Sequence, residues 1–73
     1  MKPSFSTWLL LQKDRKDWVG NFAQEVYEDE DRPHGNSGHE AWQKYLSHNG
    51  ARHEVFVALD SAWIEYLSSI KDD

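Results

Sequence analysis

No cysteine occurs among these 73 residues, and that absence limits what the chain can fold into more than any residue present. A chain this short lies near the lower limit for unaided folding, and natural domains of such size commonly add disulfides or a structural metal. Without thiols, packing has to supply the stability. Four tryptophans, three tyrosines and three phenylalanines provide the material, each able to remove ~150–250 Å² from water. A shorter stretch could not support a core of its own, so residues 1–73 are expected to form a single domain with its core over about residues 4–70.

The spacing of the apolar residues predicts how that core is built. Phe5, Trp8, Leu9 and Gln12 follow the i, i+3, i+4, i+7 rhythm of a first helix from about Phe5 to Lys13. Ser4 or Ser6 is its N-cap, and Leu10 and Leu11 widen its buried face. A second helix starts after Asp17, another good N-cap, and carries Val19, Phe22, Ala23, Val26 and Tyr27 on one stripe. It should stop near Asp29, where Glu28-Asp29-Glu30-Asp31 sets negative charge against the helix dipole and frays the last turn.

Residues 30–37, with Pro33, Gly35, Asn36 and Ser37, read as the longest loop, with room for an extra helical turn. Ser37-Gly38-His39-Glu40 has the pattern of a capping box opening a third helix, whose inward candidates are Ala41, Trp42, Tyr45 and Leu46 and whose stop is Asn49-Gly50. The fourth and longest helix repeats Val55, Leu59, Ala62, Trp63, Tyr66, Leu67 and Ile70, with Trp63 expected deep in the core. The run Val55-Phe56-Val57-Ala58-Leu59 predicts that its first half is covered on most sides. Strand-like alternation is absent, so the fold class is all-α, a small bundle of four or five short helices.

Thirteen acidic residues against eight basic ones leave a formal charge of −5, a field that repels phosphate backbones and makes nucleic acid an unfavoured partner. The alternative, a nucleic-acid-binding domain, would have to use a small basic edge of Lys13, Arg15, Lys16 and Arg52. Trp8-Leu9-Leu10-Leu11 is too short for a signal peptide or a membrane span, which predicts a cytoplasmic protein with no membrane association.

Catalytic and metal sites find little support. His34 and His39, like His48 and His53, stand five apart across turn residues, so they read as exposed loop histidines rather than helical metal ligands. Ser61, Ser68 and Ser69 have no histidine at a helical offset to activate them. The Gly35-Asn36-Ser37-Gly38 loop fits no phosphate-binding fingerprint, and the acidic segment lacks the ligand ladder of a calcium loop. No catalytic residue, metal or cofactor is therefore assigned, and an enzyme is not expected. What stands out is surface: the carboxylates Glu25, Glu28, Asp29, Glu30 and Asp31, and two aromatics without an obvious core role, Trp18 and Phe56. They form the candidate interaction surface, suited to a basic protein partner through electrostatic steering and aromatic anchoring.

Taken together, Ser4-Phe5 with Trp8-Leu9, Val19-Gly20 through Phe22-Ala23, the acidic Asp29 to Asp31 segment reaching Pro33, Tyr45-Leu46, Gly50-Ala51, and Leu59 with Ala62-Trp63 and Tyr66 give a recognisable order. In that order the chain resembles the YozE-like family of short bacterial proteins, whose fold is similar to the sterile alpha motif. Trp18 and Arg52-His53 depart from it, standing where relatives tend to open helices with proline. The resemblance implies a bacterial cytosolic protein and a bundle of four or five helices. It implies no activity and carries over no functional residue. Folds of the sterile-alpha-motif kind mediate protein association and occasionally RNA binding, an analogy of fold alone. The function expected on all these grounds is a small protein-interaction module, with weak self-association among the outcomes.

Overall fold

The computed structural model describes residues 3–35 and 37–71. Among them are four α-helices and no strand: α1 Phe5–Leu10, α2 Trp18–Glu28, α3 His39–His48 and α4 His53–Lys71. None of the helices is long and apolar enough to cross a membrane. Asn36, one of the turn formers of the long loop, lies outside the described residues.

Ser4 is the N-cap of α1, its hydroxyl accepting from the Thr7 amide at 3.3 Å, whereas Ser6 is buried and donates to the Pro33 carbonyl at 2.9 Å. The helix is shorter than expected. The Gln12 side-chain amide donates to the Trp8 carbonyl at 3.1 Å, the acceptor that the residue-12 amide would use in a continuing α-helix. The Gln12 amide turns instead to Leu9 at 2.8 Å, and tight turns continue to Arg15. That turn swings Leu11 out to 72 % exposure, so only Leu10 of the two added leucines packs against the core.

Asp17 caps α2 as expected, accepting from the Gly20 amide at 2.9 Å. Val19, Phe22, Ala23 and Val26 are buried, but Tyr27 is exposed, with Lys13 above its ring. The helix ends at Glu28, and its end is closed rather than frayed. Arg32 donates to the Asp29 and Tyr27 carbonyls at 3.0 and 3.4 Å, bringing positive charge to the C-terminal end of the dipole.

The capping box does not form. Ser37 donates to the His34 carbonyl at 2.8 Å, and α3 starts from Gly38 with no side-chain cap. Trp42 and Leu46 are buried and Tyr45 half-buried, while Ala41 faces solvent. The other end of α3 matches expectation. Gly50, at φ 67°, lets the Ala51 amide reach the Leu46 carbonyl at 3.0 Å and its own amide reach Ser47 at 3.1 Å, the paired bonds of a Schellman motif.

Helix α4 buries Ala58, Leu59 and Ala62, and packs against α1, α2 and α3. Its first half is less covered than the apolar run suggested, because Val57 is half exposed, as is Leu67 further on. Trp63 lies half-buried at the rim, and the fully enclosed tryptophan is Trp42. Phe5 is the hub: the rings of Trp63, Trp42, Tyr66 and Trp8 surround it at centroid distances of 4.5, 5.3, 5.4 and 6.0 Å.

Candidate interaction groove

Two contacts fix how the start of α2 meets the rest of the molecule. A Cβ added to Gly20 would lie 2.0 Å from the Arg15 carbonyl oxygen, so the turn before α2 is laid directly on the helix where only glycine leaves room. The Arg15 guanidinium then bonds both Asp17, at 2.6 Å, and Glu65 of α4, at 2.7 Å. The Glu65 and Asp17 carboxylates raise the Arg15 pKa. The Asp17 carboxyl is held below its ordinary value by the Gly20 amide first and Arg15 second. Arg15, in the middle of the basic edge Lys13, Arg15, Lys16 and Arg52, is thereby paired within the domain.

With α2 so placed, one flank of α2 encloses a groove with the end of α3 and the start of α4. One hollow, of about 330 Å³, lies between Phe22, Glu25, Val26 and Asp29 on one side and Tyr45, Leu46, the 49–52 turn and Val55 on the other. A second, of about 300 Å³, continues it through the shared residues Phe22, Glu25, Arg52 and Val55 to Asn21, Glu54, Ala58 and Trp18. Beyond Trp18 the surface dips again, for about 280 Å³, against His53, Glu54, Val57 and Ser61. Trp18 stands at this end with 64 % of its surface exposed, beside the half-exposed Val57.

The opposite end is built more firmly. Asp29 accepts from the Tyr45 hydroxyl and, at 2.9 Å, from the Asp31 amide, tying α2 to α3. The Tyr45 bond is the main reason the Asp29 carboxyl is held low. Burial first, and the Asp29 carboxylate second, push the Tyr45 phenol up. Asp29 is thus a carboxylate with a structural task.

The structure brings together three of the seven candidate surface residues, Trp18, Glu25 and Asp29, along this groove. Glu28, Glu30 and Asp31 are exposed outside it, and Phe56 is half-buried against the core. Sequence reasoning missed Val57 and the groove role of Arg52 and Glu54. The signal for Val57 was present: at 100° per residue, a run of five apolar residues cannot all face one core. His39 also differs from a loop histidine. It is half-buried as the first residue of α3, with Nε2 2.8 Å from an Asp60 oxygen and its ring edge-on to Trp63.

Comparison with known proteins accords with this architecture. The chain belongs to the YozE SAM-like fold family, whose model matches residues 4–68 and so takes in α1, α2, α3 and most of α4. No curated protein and no solved structure matches the chain.

Proposed function

We propose that this YozE SAM-like domain is a protein-interaction module that docks a partner on the groove between α2 and α4, with Trp18 as its anchor. The observation that carries the reading is the indole itself. A domain that wraps four rings around Phe5 leaves Trp18 64 % exposed, beside Val57 and at the mouth of a groove. Tryptophan is the residue most enriched among interface hot spots, because its large rigid surface gains much from desolvation at little entropic cost. Glu25 and Glu54 give the groove a negative rim that steers basic partners. Asp29 does not report on docking by itself, since reversing its charge also breaks the tie to Tyr45.

Position 18 is the first residue of α2 and follows the Asp17 cap, so a photoreactive side chain fits there without disturbing the core. The test places that group at position 18, and in a control chain at the exposed Gln43 of α3, in cells that make the protein. The expected result is discrete protein adducts from position 18 that Val57→Lys abolishes. Equal yields from both positions, or none from either, would overturn the proposal.

A further inference from the structure

We infer that the groove receives a basic amphipathic helix of a partner protein, an inference that rests on the docking face proposed above and adds the chemistry of its occupant. The described residues contain no strand, so there is no sheet edge on which an extended segment could add its backbone hydrogen bonds. What is offered is a trough with α2 along one wall and the end of α3, the 49–52 turn and the start of α4 along the other, the shape into which amphipathic helices lay their apolar face. Its length fits. From Trp18 to Asp29 the groove follows α2 for about 16 Å at the usual rise of ~1.5 Å per residue, which a partner helix of about three turns would span.

The charges select the occupant's sign. Glu25 lines both main hollows and Glu54 lines the two nearer Trp18. Neither is in an ion pair among the described residues. Arg52, exposed and likewise unpaired among them, is the single cation of the groove. An apolar side chain seated between Trp18 and Val57 would place lysines or arginines one and two turns along its helix against Glu54 and Glu25. Arg52 then accommodates one partner carboxylate and sets the direction in which the helix lies. An acidic helix would face two unpaired carboxylates and is disfavoured by the same arrangement.

The test uses a synthetic peptide of leucine and lysine, about 14 residues long, patterned as an amphipathic helix, and a twin with glutamate in place of every lysine. Each is titrated into the ¹⁵N-labelled full chain. The leucine–lysine peptide is expected to shift the Trp18 indole signal and the amides of Glu25, Glu54 and Val57. Glu25→Lys combined with Glu54→Lys should weaken it about tenfold or more, with the fold verified from the spectrum of the free variant. Equal binding of both peptides, no binding at millimolar peptide, or shifts centred on Glu30 and Asp31 would overturn the inference. So would concentration-dependent shifts of Trp18 without peptide, which would make the occupant a second copy of this chain. Adducts at position 18 alongside a silent leucine–lysine peptide would leave the docking face standing and remove only its basic helical occupant.

Discussion

Trp42 and Trp18 stand near the starts of helices of similar length, yet Trp42 is fully enclosed while Trp18 is 64 % exposed. Around Trp42 the molecule is closed: Phe5, Phe22 and Tyr45 present their rings edge-on at 5.3, 6.1 and 5.7 Å. Around Trp18 it is open, with a trough whose rim carries the carboxylates of Glu25 and Glu54. The same residue type therefore does opposite work on the two sides. Phase on the helix decides which, because Trp42 falls on the stripe shared with Leu46 while Trp18 falls one residue before the stripe that begins at Val19.

The largest expected effect tests the closed side. Trp42→Ala removes a buried indole at ~3–5 kcal/mol, against a total of ~5–15 kcal/mol that a domain this small meets at its low end. Thermal denaturation should show the cooperative transition lost. A melt within a few degrees of the parent would mean that the aromatic cluster is not what holds the bundle.

Gly20→Ala asks whether the open side has a rigid foundation. At an unconstrained site this change commonly stabilises by ~0.4–1 kcal/mol. Here the added methyl would meet the Arg15 backbone, itself held by Asp17 and Glu65, and the expected result is a loss at the upper end of ~1–3 kcal/mol. Urea unfolding measures it, and a gain in stability would show that the turn can move aside.

Acid gives a smaller, graded effect on both flanks of the groove. The carboxyls of Asp17 and Asp29 are held below their ordinary value, so the stability they contribute is complete above the unfolded value of about 3.9 and is lost as pH falls through the lower folded values. Melting temperature should decline below about pH 4, and Tyr45→Phe should flatten part of that decline by removing the main cause at Asp29. An unchanged slope in that variant would detach Tyr45 from the acid response. The smallest effect on stability belongs to Trp18→Ala, expected within ~0.5 kcal/mol of the parent. A large destabilisation would turn Trp18 from a docking residue into a packing one.

Much of the bundle was legible in the sequence, and the features that were legible share a physical reason. The Asp17 cap and the Gly50 stop are local chemistry between residues three to five apart. The family resemblance rested on such features in order, and the family match spans the same residues. Ser37 shows the limit of this kind of reading. Its hydroxyl is tied back to the His34 carbonyl and the helix takes Gly38 as its N-cap, one residue later, a placement that a four-residue pattern does not contain. The end of α1 was hidden for a similar reason, in a competition between the Gln12 side chain and its own amide. Of the candidate site, the residue types were legible in Trp18, Glu25 and Asp29. Their meeting with Arg52, Glu54 and Val57 depends on how α2 lies against α4, which no local spacing states.

Helix α4 has one more consequence, for the order of events when the chain is made. Among the described residues, α4 is the helix that packs against each of the other three. A ribosome releases the first three helices before the one that packs on them all, so Phe5 can meet Trp42 while it still lacks the cover of Trp63 and Tyr66. The bond between Glu65 and Arg15, 50 positions apart in sequence, can form only after α4 has been made. Until then its largest apolar side chains are open to whatever chaperone or neighbouring chain is present.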